Sequence, residues 1–203
     1  MNHRALSRGL FAASILLVTA CGQGAAPAAE QKEEGALAGS TVGGPFSLID
    51  QDGRRVRDTD FNGKYRLIYF GFTNCPDVCP VDLQVLGAGM RRFEGEDAAR
   101  AAKVLPIFIT VDPTRDTPEM MKRYVANFHP RLIGLTGSQQ EVDAAAQEYG
   151  VYASKGETSP GGGYNVDHSR ILMLFGPNGE PITIVPHDQG PEGFVAELSR
   201  WVR

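Results

Sequence analysis

Two cysteines separated by three residues, Cys75 and Cys79, lie in the run Gly71-Phe72-Thr73-Asn74-Cys75-Pro76-Asp77-Val78-Cys79-Pro80. Thiolates are soft metal ligands, and a dithiol can also cycle through a disulfide. Their i, i+4 spacing stacks the sulfurs on one face if the turn is helical. It also sets the α-carbons roughly 6 Å apart, within disulfide range, so spacing alone leaves metal and redox chemistry open. A purely structural disulfide is a poor use of the pair, because closing so short a loop restrains the unfolded chain little. Two cysteines fall short of a closed zinc site, which normally has four ligands, whereas Cu(I) is well served by two thiolates and one further donor.

That further donor is sought among the histidines. His129 stands before Pro130 at a helix end and His187 in a polar turn after a strand, and both are expected to be structural. His168 ends a glycine-rich loop (Ser159 to Val166) just ahead of the apolar run Ile171 to Phe175, a position from which it projects over the end of a sheet. Gly161 to Gly163 would allow that loop to open and close. The expected metal ligands are therefore Cys75, Cys79 and His168.

The elements needed to position these residues are legible as an α/β pattern. Tyr65 to Phe70 and Val104 to Val111 are nearly continuous apolar runs of strand length, as expected for strands covered on both faces. Between them Val81 to Phe93 reads as a helix with Val81, Val85, Leu86 and Met90 on its apolar side, which makes a parallel strand–helix–strand unit. The cysteine pair then sits at the carboxyl end of a buried strand and at a helix N-terminus. Backbone N–H groups there favour thiolate, so both sulfurs are expected to be acidified. Upstream, Phe46 to Ile49 and Arg54 to Val56 flank Asp50-Gln51-Asp52-Gly53, a hairpin signal. Downstream, Asp116 is the expected cap of a helix running to about Asn127, Leu132 to Leu135 is a short strand, and Ser138 caps a helix through Tyr149. Val151 to Ala153 is a further short strand. Ile171 to Phe175 and Ile182 to Val185 form a hairpin about Gly176-Pro177-Asn178-Gly179, and Phe194 to Val202 closes the chain as a helix. The segment from Asp112 to Asp116 reads as a strand-to-helix turn, with both carboxylates also able to face the cysteine cleft.

Composition bounds the function. The chain has 203 residues, enough for one main core, and its 42% hydrophobic and 22% charged residues are those of a folded protein. Lys and Arg number 20 against 24 Asp and Glu, a net charge of −4 that offers no surplus for a nucleic-acid backbone. No repeat, phosphate-binding loop or dinucleotide fingerprint is present. Arg4 and Arg8 precede the apolar run Leu10 to Val18, too short to span a bilayer but right for a signal peptide. The run ends in Val18-Thr19-Ala20-Cys21, which resembles the lipobox of bacterial lipoproteins. Residues 1–20 are thus expected to be a leader and Cys21 the lipidated N-terminus, which leaves Cys75 and Cys79 as an even pair. Residues 21–44 are poor in bulky apolar side chains and read as a flexible tether with a reach of roughly 25 Å. Residues 45–203 form the folded domain.

Three separated motifs, the cysteine run above, Val111-Asp112-Pro113-Thr114-Arg115-Asp116-Thr117-Pro118 and Asp167-His168-Ser169, resemble the Sco/SenC family in order and over most of residues 45–203. The resemblance implies a thioredoxin-like fold, a central mixed sheet flanked by helices with an added N-terminal β-hairpin. It implies copper, as Cu(I) or Cu(II), held at Cys75, Cys79 and His168. It further implies delivery to the dinuclear copper site of cytochrome c oxidase subunit II from a periplasmic copper donor, by a protein anchored to the membrane on its extracytoplasmic side. A thiol-disulfide oxidoreductase acting through Cys75 and Cys79 on the same subunit is the alternative, and a peroxidase ranks below it. The sequence departs from ordinary thioredoxins in placing three residues, not two, between the cysteines, and no cis-proline position is recognisable before the final strands.

Overall fold

The computed structural model describes residues 33–158 and 163–203, and from Glu34 onward they form one compact unit. The leader, Cys21 and Gly161 and Gly162 of the glycine run lie outside the described residues.

The chain order is β1 (Ser47–Asp50), β2 (Arg55–Arg57), β3 (Tyr65–Gly71), α1 (Val78–Glu96), α2 (Ala98–Ala101), β4 (Val104–Thr110), α3 (Pro118–Val125), β5 (Ile133–Thr136), α4 (Gln139–Glu148), β6 (Ala153–Lys155), β7 (Val166–His168), β8 (Leu172–Phe175), β9 (Pro181–Ile184) and α5 (Gly190–Trp201). Seven strands make one mixed sheet in the order β2-β1-β5-β4-β3-β8-β9, while β6 and β7 pair separately. The expected β3–α1–β4 unit is present, with β3 and β4 parallel from Tyr65↔Val104 to Gly71↔Thr110. The N-terminal hairpin β1–β2 joins the same sheet through antiparallel pairing of β1 with β5. This is the thioredoxin-like arrangement with its added hairpin.

Burial of every β3 residue follows from cover on both faces. Tyr69 faces α1, where its hydroxyl meets Asp82, and its ring stacks 6.3 Å from Phe108, which in turn meets Tyr124 of α3. Phe70, on the opposite face, packs against Tyr149 at the end of α4. Helix α1 lies on α5 so closely that a Cβ at Gly89 would fall 2.2 Å from the Phe194 ring.

Several local expectations are corrected. The buried face of α1 is Cys79, Asp82, Leu83, Leu86, Met90 and Phe93, whereas Val81 is 53% exposed; a carboxylate occupies a position that periodicity assigns to an apolar residue. Helix α3 is capped not by Asp116 but by Thr117, whose extended backbone lets its hydroxyl accept from the Met120 N–H at 3.3 Å. Helix α5 begins at Gly190, a turn before the expected Phe194. Residues 35–44, assigned by composition to the tether, lie along the domain: Leu37 N–H donates to the Ile182 carbonyl (3.1 Å), Gly43 N–H to that of Glu148 (2.9 Å), and Leu37 and Val42 pack on the core. Two apolar side chains and a pair of backbone hydrogen bonds outweigh a composition that otherwise favours coil.

Candidate metal centre

The cysteine loop is built from the end of β3. Asp116, fully buried, accepts from Thr73 N–H (3.0 Å) and the Thr110 hydroxyl (2.6 Å) with Oδ2, and from the Thr73 hydroxyl (2.6 Å) with Oδ1. These three bonds fix the loop to the end of β4, which is what this carboxylate does in place of capping a helix. Cys75 N–H then donates to the Phe72 carbonyl (3.3 Å), and α1 begins only at Val78. Cys75 therefore stands outside the helix, and its Sγ accepts from the Cys79 N–H at 3.4 Å, meeting one of the donors that a helix N-terminus leaves open. Cys79 is fully buried over Gly71, where an added Cβ would lie 2.9 Å from its sulfur. Both thiols are free.

His168 arrives from the other side. The sequence pattern places it at the end of the glycine-rich loop; in the structure His168 is the last residue of β7, paired to Ala153 of β6. Strand β6 runs over Ala153–Lys155, displaced toward the C-terminus from the expected Val151 to Ala153. The ring is wedged edge-on against Tyr69 and Phe72, with centroids 6.2 and 5.9 Å away. Its Nδ1 lies 3.0 Å from the Ser169 carbonyl, an acceptor, so the proton belongs on Nδ1 and the Nε2 lone pair points inward. That Nε2 is 3.2 Å from Cys79 Sγ, and the two sulfurs and Nε2 all lie within 4.8 Å of one another. Donors held about 2.0–2.3 Å from a shared ion stand roughly 3.5–4 Å apart in a trigonal arrangement, so small side-chain rotations complete a three-coordinate site. Among the described residues this is the one cluster of cysteine, histidine or carboxylate groups with such geometry.

Electrostatics correct the expected acidification. Burial pushes the Cys79 thiol well above the ordinary cysteine value, outweighing the hydrogen bonds that favour thiolate. Burial also pushes the His168 imidazole below its usual value and keeps it neutral, the form that ligates. A soft cation can take the place of the thiol proton here, so that thiolate forms as the ion binds and the proton leaves to solvent. Cys75 and His168 open onto a cleft of about 230 Å³ flanked by Asp77, Asn165, Asp167 and Arg170, with Cys79 buried beneath it.

Asp112 is tied to the site through the hairpin loop. It pairs with Arg115 and accepts from the Tyr164 hydroxyl (2.8 Å), while Arg115 donates to the Tyr164 carbonyl (3.0 Å) and stacks 3.7 Å over its ring. His129 is buried with Nδ1 accepting from Arg131 N–H (3.2 Å), remote from the cluster. His187 lies nearer than its sequence position suggests, 3.7 Å from Asp82 and edge-on to Tyr69, yet outside the ligand group. Asp82 and Arg170, joined beside the cluster, carry no signal in the sequence: one sits in a helical apolar register, the other beside a strand.

The SCO1/SenC family model matches residues 34–203. The chain is 46% identical over 151 residues to the mitochondrial SCO2 homolog of Homo sapiens, covering 74% of this chain and 56% of that protein. It is 45% identical over 146 residues to the mitochondrial SCO1 homolog 1 of Arabidopsis thaliana, covering 71% and 42% respectively. The chain thus spans about half the length of these curated relatives. Among solved structures, ScoI of Bradyrhizobium japonicum with copper bound is 40% identical with a TM-score of 0.72, covering 79% of this chain and 99% of that one. Among the described residues no helix is long and apolar enough to cross a membrane.

Proposed function

The chain belongs to the SCO1/SenC family, and from that premise we propose that it is a membrane-tethered copper chaperone. Cys75, Cys79 and His168 hold the ion, and an acceptor takes it by ligand exchange. The observation that carries this reading is the convergence of Nε2 and two free sulfurs from separate elements within 4.8 Å. Two thiolates select a soft ion, and a single imidazole leaves the site three-coordinate. Loading with Cu(I) replaces the proton on each thiol; an incoming ligand enters from the cleft side and bonds before the old ligands leave.

The acceptor is the dinuclear copper site of cytochrome c oxidase subunit II, as the family resemblance implies. Cys21 carries the lipid after removal of residues 1–20, and the chain from there to about residue 34 is the tether, which keeps the domain on the extracytoplasmic side near a membrane-bound partner. A general oxidoreductase acting through Cys75 and Cys79 is less well served, because thiol exchange has little need of the His168 imidazole that stands 3.2 Å from Cys79 Sγ.

The test is transfer. The reduced full chain in detergent, loaded with one equivalent of Cu(I), is mixed with the metal-free copper domain of an oxidase subunit II. Copper recovered with the acceptor, by metal analysis after the two proteins are separated, supports the reading. Retention of copper in this mixture, together with a mixed disulfide to Cys75 or Cys79 when the reduced metal-free chain meets an acceptor whose own cysteines are joined as a disulfide, would replace it with the oxidoreductase.

A further inference from the structure

The helix that carries Cys79 and the strand end that carries His168 are joined by a buried carboxylate. Asp82 lies three residues beyond Cys79 on α1 and is 3% exposed. Its Oδ2 accepts from the Tyr69 hydroxyl (2.7 Å) and from Arg170 Nε (3.0 Å), and its Oδ1 accepts from Arg170 Nη2 (2.5 Å). His187 Nε2 stands 3.7 Å from the same Oδ2. Arg170 follows His168 by two residues, so a two-pronged ion pair spans the two sides of the site.

Apart from the His168–Cys79 contact itself, the other polar bonds of that segment run elsewhere. Ser169 N–H donates to the Tyr152 carbonyl (3.0 Å) and its hydroxyl accepts from Tyr152 N–H (3.1 Å), which ties it to the chain entering β6 and not to α1. Burying a carboxylate for stability alone is a poor bargain, since an apolar pair of similar size often does as well. What a forked guanidinium–carboxylate pair adds is direction: two parallel bonds fix both distance and angle. Tyr69 reinforces this, because the ring whose hydroxyl anchors Asp82 also meets the His168 imidazole edge-on.

We infer that Asp82 and Arg170 are positioning residues that set the placement of His168 Nε2 against Cys79 Sγ. The inference rests on the copper-site reading above. Neither residue touches the ion; each acts through the ligand beside it. The exposed side of the pair belongs to Arg170, whose side chain is 44% accessible, so it can be altered with least risk to the fold.

The test is a double-mutant cycle in the full chain, reading Cu(I) affinity by competition with a chromogenic chelator and, on metal-free protein, amide hydrogen exchange across residues 166–171. Arg170→Lys keeps the charge and loses the fork; Asp82→Asn keeps an acceptor for Tyr69 and loses the charge. Each is expected to weaken Cu(I) binding about tenfold, the low end for partners that orient a metal ligand, and to speed exchange in residues 166–171 while the midpoint of thermal unfolding stays near the parent's. In a His168→Ala background the same changes are expected to leave the remaining affinity unaltered. Equal losses with and without His168, or no loss in the parent background, would overturn the inference while leaving the copper site intact. If His168→Ala alone binds like the parent, the site reading itself fails, and the positioning role with it.

Discussion

The two sides of the metal centre are built differently. The cysteines stand on the main fold: Cys79 is fully buried at the start of a 19-residue helix, and the loop ahead of it is held by Asp116 through three hydrogen bonds. His168 stands on a two-stranded sheet of three residues per strand, outside the main sheet and bound to the rest by side chains such as Tyr164, Arg115 and Arg170. Elements with few buried contacts open more readily than core elements. On the proposed copper reading, an ion held between a fixed dithiol and a more loosely held imidazole would be released by moving the imidazole alone, without disturbing the core.

The largest effect tests the fixed side. Cys79→Ser or Cys75→Ser removes a soft ligand, and Cu(I) affinity in chelator competition is expected to fall more than about a hundredfold; a loss under tenfold would mean the sulfurs do not share the ion. Gly71→Ala comes next, because its Cβ would crowd Cys79 Sγ, Phe108 and Tyr69 at about 3 Å. Overpacking of this kind costs about 1–3 kcal/mol, readable in denaturant unfolding, and is expected to weaken copper binding as well. An unchanged unfolding midpoint would show that the sulfur side yields more than its packing implies.

The His168 side answers more gently. Tyr164→Phe removes the hydroxyl bonded to Asp112, worth about 1 kcal/mol. Hydrogen exchange is expected to quicken in β6 and β7 while α1 is unaffected; equal changes in both would erase the contrast between the two sides. The smallest effect is on pH. Burial holds His129 and His168 below the ordinary imidazole value, so both are neutral in the fold. Such groups contribute stability that is present above the unfolded value near 6.5 and is lost as pH falls through the folded values, with a slope of at most about 1.4 kcal/mol per pH unit for each. Denaturant unfolding of the metal-free protein between pH 7.5 and 5 is expected to show this decline, and His129→Gln to make it shallower.

Much of this was legible beforehand. Apolar runs such as Tyr65 to Phe70 signal doubly covered strands, and Gly176-Pro177-Asn178-Gly179 marks the final hairpin because turn chemistry is local. Cys75, Cys79 and His168 stand out because so few side chains can ligate a soft ion. What escaped the sequence depends on tertiary contacts. Asp82 reads as a break in the apolar face of α1 until Tyr69 and Arg170 supply its partners. Asp116 has the local form of a helix cap, yet Thr73 and Thr110 turn it inward. The Cys79 thiol is governed by burial, which outweighs the helix terminus on which the acidification argument rests. Strand β7, three residues long, is too short to carry a period and forms only because β6 lies opposite.

The most direct test is copper K-edge absorption of the Cu(I)-loaded full chain, with and without His168→Ala. Two sulfur and one nitrogen scatterers in the parent, with loss of the nitrogen in the variant, are expected. A sulfur-only shell in the parent, unchanged by the substitution, would contradict the shared site.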